Sequence, residues 1–401
     1  SVLGGPGESS RADPTGMAGV CPQGAGVGGP SDGCFGGEEV SVEEFLTSEL
    51  MVPASELNKA LRACPQLMHL SVDANLRPAL HHLISRGISA DNVRKAFIAS
   101  PHVLSHHVSH NAGKVLDLLL ELGCPRDKLG RLVAKAPRLL GLNAQDNLRP
   151  TISFLCDEMK VPRAKLWRVI QHSPHLLARS LDKHLIPVCM FLEGVGIPRE
   201  RLGAFIVVYP QALCKSIRHK LRPAIEYLVA AVGVPREKVG AVLLKKPQLL
   251  GYATEKMQRA ITFLGDEVGV SRDGVRDMVL RFPSVLGYSV DENLRPTVSF
   301  IRQIAKVNAE QLARDLVAFP QMLSYSLERR LKPRLEHLCS CGVDLSQGRF
   351  SVAKILRQTD SQFRERHGNR SLLLAGPLGS RHAHVHALAS HAGNASALVP
   401  A

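Results

Sequence analysis

The feature that most constrains this chain is a short word that keeps returning. It begins at Pro65 (PQLM), Pro101 (PHVL), Pro137 (PRLL), Pro174 (PHLL), Pro210 (PQAL), Pro247 (PQLL), Pro283 (PSVL) and Pro320 (PQML), always 36 or 37 residues after the last. A fixed period of this length is the mark of a solenoid, in which each unit buries its apolar face only against its neighbours. A second column follows thirteen residues after each first proline: Pro78, Lys114, Pro150, Pro187, Pro223, Ala260, Pro296 and Pro333. A third holds Pro53, Ser89, Pro125, Pro162, Pro198, Pro235, Ser271 and Asn308.

Between these punctuation marks the apolar residues keep a helical period. Leu129, Leu132, Val133 and Ala136 share one face, as do Ile152, Leu155 and Met159. Proline is tolerated in the first helical turn, where its missing N–H has no intrahelical partner anyway. The sequence therefore predicts that Pro150 and Pro162 start helices, with Asn147 and Asn293 of the N-L-R-P words available as caps. Pro137 closes a helix, and the small residues Gly141, Ala178, Cys214, Gly251 and Gly287 then suit a tight bend into a third, short helical piece. The expected fold is all-α: a curved α-solenoid of about eight three-helix repeats.

Composition agrees. Aromatics are only 4% of the 401 residues, which suits a leucine- and alanine-rich helical protein better than a β-sandwich. The formal net charge of +14 favours a polyanionic partner, nucleic acid first and anionic membrane second. No stretch of about 20 apolar residues is present to span a bilayer. The nine cysteines form no C-x-x-C pair, and Cys339 and Cys341 make only a C-x-C, so they read as small hydrophobes in a reducing compartment. No Walker A, G-x-S-x-G or H-E-x-x-H word occurs, and the acids are dispersed; the chain is not read as an enzyme. No cofactor, small-molecule substrate or metal is expected. His382, His384, His386 and His391 sit in an Ala/Gly/Ser-rich tail. Residues 1–37 and 369–401 are expected to be disordered and 38–368 to form the solenoid, with an incomplete cap repeat at 38–50 and a closing cap at 339–368.

The P-x-L-L, N-L-R-P and V-P-R-x-K-L words resemble the mitochondrial transcription termination factor (mTERF) family, in its plant and algal organellar form. The nearest likeness is FPQMLSYSLERRLKPRLEHL, Phe319 to Leu338, followed by ILRQTDSQFRERH, Ile355 to His367. The resemblance spans roughly residues 40–368. Pentatricopeptide repeats have a period of 35 and lack the proline that closes the second helix. The resemblance implies a curved α-solenoid with a basic concave face. It also implies nucleic-acid binding in a mitochondrion or chloroplast, with the chloroplast slightly favoured, and a part in organellar gene expression.

Two basic columns stand in register. The first residue after the third-column punctuation is Arg126, Arg163, Arg199, Arg236 and Arg272 in five consecutive repeats. A cation at a helix N-terminus opposes the helix dipole, so a recurring one invites a reason; a phosphate gripped by guanidinium and free N–H groups is one. The other is that Asp127, Glu200, Glu237 and Asp273, each one residue on, already satisfy the dipole. The second column precedes the helix-opening proline: Arg77, Arg149, Arg222, Arg259, Arg295 and Lys332. With antiparallel helices these columns should lie on opposite edges, about 16 Å apart, and could straddle a duplex. Alternatively, such an arginine bonds the carbonyls that end the preceding repeat. Lys135, Arg138, His175, Lys245, Lys246 and Arg281 lie near second-helix ends, where the dipole alone favours them. Tyr252, Tyr288 and Tyr325 share a register that could stack on bases or pack between repeats.

Phosphate contacts carry no sequence information, and the sequence singles out no base-reading side chain. Three readings stand: a monomeric regulator of transcription or its termination on double-stranded DNA, an RNA-binding factor in splicing or ribosome assembly, and a protein-interaction scaffold whose charge serves solubility.

Overall fold

The computed structural model describes residues 40–104, 106–341, 345 and 352–367. The glycine-rich N-terminal segment and the histidine-bearing tail lie outside the described residues. The described chain is helical, with no β-strand among the described residues. Each repeat has a first helix, a second helix and a closing 3₁₀ turn. In one repeat these are Arg222–Ala230, preceded by a wide turn at Ile217–Leu221, then Arg236–Lys245, then Pro247–Gly251. Second helices pack on second helices of neighbouring repeats and first helices on first helices, so two helical layers enclose a continuous core. Leu221, Leu228, Val239, Leu243, Leu249 and Leu250 fill that core in this repeat, all buried.

The closing turns form for a local reason. The residue before each turn proline is pushed out of the helical region by the pyrrolidine ring. Ala136, Ser173, Tyr209, Lys246, Phe282 and Phe319 all sit near φ −140° and ψ 70°, for example −142° and 70° at Tyr209. The second helix therefore ends there, and the apolar pair after the proline turns inward, as Leu139 and Leu140 do.

Pro162 stands immediately before the helix Arg163–His172, as the sequence suggests, but the second-column prolines, Pro150 among them, do not open helices, which corrects the sequence reading. The first helix starts six or seven residues earlier, at a serine or asparagine whose side chain accepts a backbone N–H: Ser71, Asn143, Ser180, Ser216, Ser289 and Ser326. Asn147 of the N-L-R-P word is not the cap; its Oδ1 accepts from the Asn143 N–H, 3.1 Å away. The proline then falls inside the helix, where its ring would collide with the carbonyl four residues back. The chain avoids this by widening one turn: the Arg149 N–H reaches the Ala144 carbonyl, five residues back. Such a turn precedes Pro78, Pro150, Pro187, Pro223, Pro296 and Pro333. The two repeats with Lys114 or Ala260 at that register have an ordinary helix there, Lys114 within His106–Glu121 and Ala260 within Thr254–Thr262. Proline thus causes the widening.

The first helix also stops at a fixed place. Met51, Gly87, Gly123, Lys160, Gly196, Gly233, Gly269 and Lys306 all have positive φ, from 48° to 94°, at successive equivalent positions. This is the left-handed residue that commonly follows a helix, and glycine adopts it without strain.

Candidate nucleic-acid interface

The first arginine column sits where the sequence places it, at the first residue of each second helix, and all five members are exposed. Their partners differ. Arg126 and Arg236 make no hydrogen bond or ion pair among the described residues. Arg163 lies 3.6 Å from Asp157 with 75% of its side chain exposed. Arg199 approaches Glu193 at 3.1 Å and Glu158 at 3.6 Å. Arg272 donates to the Ala230 carbonyl at 3.0 Å. Exposed pairs of this kind contribute only about 0–1 kcal/mol, so a phosphate can displace them.

The second column is mostly engaged between repeats. Arg149 pairs with Glu121 at 3.1 Å. Arg295 pairs with Glu267 and lies 5.3 Å over the Phe263 ring. Arg77 does the same with Glu49 and Phe45, and its hydrogen bond holds the Glu49 carboxyl below its usual range. Arg222 stacks 5.6 Å over Phe191, and Lys332 reaches Glu328 at 2.5 Å. Arg259 has no such partner among the described residues. In these contacts the cation clamps one repeat to the first helix of the repeat before it, except that Lys332 pairs within its own helix.

The two columns do not occupy opposite edges. Glu121 and Glu158 are equivalent, each the last residue of a first helix, yet Glu121 binds Arg149 of the second column and Glu158 binds Arg199 of the first. Arg295 and Arg272 likewise reach the ends of preceding first helices, at Glu267 and Ala230. The reason is the early start of the first helix, which puts Arg149 in its interior rather than at its tip.

The opposite edge carries a different set of cations. Lys135 donates to the His172 carbonyl at 3.4 Å, Lys245 to Leu280 at 2.6 Å and Arg281 to Val317 at 2.7 Å. Each satisfies a terminal carbonyl of the next second helix, which the dipole also favours. Positive charge is dense here. Burial, then Lys135, Arg179 and Arg138, hold His175 below its usual range. Burial and then Lys256 lower Lys246.

Sequence reasoning missed the cations on the outward face of the second helices themselves. Arg131, Arg168, Arg201 and Lys238 are exposed there. No acid occurs between Glu158 and Asp182, a stretch with Lys160, Arg163, Lys165, Arg168 and Arg179, nor between Glu200 and Glu226. The signal was available as an absence of acids, which a search for recurring cations passes over. Tyr252, Tyr288 and Tyr325 are half-buried, and Tyr209 is buried. A Cβ at Gly251 would meet the Tyr209 hydroxyl at 2.1 Å, and one at Gly287 the Tyr252 ring at 2.6 Å. Burial raises the phenols of Tyr209, Tyr252 and Tyr288. Among the described residues there is no cluster that could hold a metal ion and no helix long and apolar enough to cross a membrane.

Helix pairs stacked in two layers, one of them carrying a row of exposed cations, define an α-solenoid. The mTERF family model matches residues 44–364, and the chain belongs to the mTERF family. It is accordingly grouped with organellar nucleic-acid-binding regulators of gene expression rather than with enzymes. A search of curated proteins returns no match.

Proposed function

We propose that the second-helix layer binds double-stranded DNA and that the protein regulates transcription, including its termination, in a chloroplast or mitochondrion. The observation that carries this reading is the excess of exposed cations over acids on the second helices from Arg126 to Lys245, with the turns that follow them. Cations stand at both ends of the second helices Arg126–Lys135, Arg236–Lys245 and Arg272–Arg281, each ten residues long, or about 15 Å. Two rows at that separation suit the two backbones of a duplex. A single strand would occupy one. The half-buried tyrosines, with the Tyr252 ring held against Gly287 of the next repeat, offer unpaired bases a restricted aromatic platform, which favours duplex over single-stranded RNA.

Within this reading Arg126, Arg163 and Arg236 are the phosphate contacts of the first column, and Arg199 and Arg272 join after releasing weak partners. Arg149, Arg222, Arg295 and Lys332 serve first to join or brace the first helices, and Arg259 is the member of that column left for a phosphate. The test is competition among duplex DNA, structured RNA and single strands at two salt concentrations. Duplex DNA should win, with steep loss of affinity as salt rises. Preference for structured RNA would transfer the same surface to splicing or ribosome assembly, and weak binding to every ligand would leave a protein scaffold.

A further inference from the structure

The closing turns hold a column that the phosphate argument does not use. In each turn after the first, the proline and the two residues that end the P-x-L-L word face inward, and the residue between them faces outward. In the last six repeats that residue is Arg138, His175, Gln211, Gln248, Ser284 and Gln321. All six are exposed or half-buried, and the neighbours of Gln211, for example, are the buried Pro210 and Ala212. None of the six side chains makes a hydrogen bond or ion pair among the described residues. Their donors and acceptors are unspent, while other glutamines are engaged: Gln258 accepts from Tyr227 at 2.8 Å. The first two repeats carry Gln66 and His102, and His102 lies against Cys64 Sγ at 3.3 Å.

An outward position in a charged protein would ordinarily include lysine, glutamate or aspartate, and this column has none. It has instead the side chains that read base edges: glutamine bonds adenine through two atoms, arginine bonds guanine likewise, and serine and histidine make single bonds. The backbone beneath is stiff, because proline fixes φ at the first position of the turn and the flanking leucines are packed. The column also borders the second cation row. Gln321 shares a hollow with Lys245, Arg281 and Arg357, and His175 feels Lys135 and Arg138. Neighbouring helices pack about 9 Å apart, which is close to three base pairs at about 3.4 Å each.

We infer that the outward residue of each closing turn reads base edges, one side chain per repeat at intervals of about three base pairs, while the flanking cations hold the backbone. This rests on the nucleic-acid reading above. The probe is a pool of duplexes with a randomised central segment, and in parallel a pool of randomised RNA hairpins. The full chain is compared with Gln211→Ala/Gln248→Ala/Gln321→Ala and with Gln248→Arg, each checked for an unchanged melting temperature. The wild type should enrich a preferred sequence. The triple variant should lose roughly tenfold or more of its preference for that sequence over random duplex while keeping its salt slope. Gln248→Arg should move one preferred position from adenine to guanine. If the variants enrich the same sequence as the wild type, or lose affinity equally for every sequence, the column does not read bases and the phosphate track stands alone. If the wild type binds neither pool, the nucleic-acid reading fails and takes this inference with it.

Discussion

Single side chains in this protein are set by how closely neighbouring repeats approach. Gly240 is the clearest case: a Cβ there would lie 2.0 Å from the Gly196 carbonyl oxygen, a contact with backbone that no side-chain motion relieves. Gly240→Ala should therefore destabilise the fold by about 1–3 kcal/mol. Gly194→Ala, where a Cβ meets nothing within 4 Å, should be neutral or stabilising by up to about 1 kcal/mol. Denaturant midpoints of the two variants check this, and equal losses would contradict it. Cysteines divide in the same way. Burial pushes the thiol of Cys189 up to about 12 and that of Cys124 up to about 11, whereas Cys339 and Cys341 are exposed. Among the cysteines of the described residues, iodoacetamide at pH 8 should modify Cys339 and Cys341 first and leave Cys124 and Cys189 untouched until the chain unfolds. Peptide mass mapping reads the order. The arginine columns were legible as columns, because identity and spacing are in the sequence. Which of them is free was not, because Glu121 and Glu267 lie 28 residues from the arginines they bind and only the stacking of repeats brings them together.

The elements show what punctuation does. Proline at the second column opens the helix by one residue in six repeats, and its absence at Lys114 and Ala260 leaves that turn regular, although the Ala260 helix widens later, at Phe263–Glu267. The sequence suggested a boundary, since a helix start is the usual place for proline. The serine or asparagine cap seven residues before gave the true start, and nothing in a single repeat ranks that cap above the proline. Ala260→Pro should consequently be tolerated better than a proline in a second helix. The expectation is about 1 kcal/mol at Ala260, against about 3 kcal/mol or more for Val242→Pro. Melting temperatures compare them, and equal costs would show that this register has no special capacity to widen. The left-handed residue after the first helix offers the converse test. Lys306 adopts φ 48° where most repeats have glycine. Lys306→Gly should stabilise the protein by about 1 kcal/mol by removing that strain, measured by thermal or denaturant unfolding.

At the scale of the whole array, repetition turns small local features into a surface. A period of 36 or 37 residues was enough to read the solenoid, because eight registered copies leave few ways to bury their leucines. The face that binds was harder to see, because it depends on which charges oppose one another across layers. Once the helices are stacked, acids at first-helix ends engage arginines of the second column, and the second helices from Arg126 to Lys245 keep exposed cations in excess of acids. The central claim is that this layer is a continuous track for a duplex backbone. The most direct test is the salt dependence of duplex DNA binding for the wild type and for Arg126→Glu/Arg163→Glu/Arg236→Glu. Each phosphate contact contributes about 0.9 to the slope of log K against log salt, so the variant should bind with a slope shallower by roughly 3 and an unchanged fold. An identical slope in the two proteins would contradict the track.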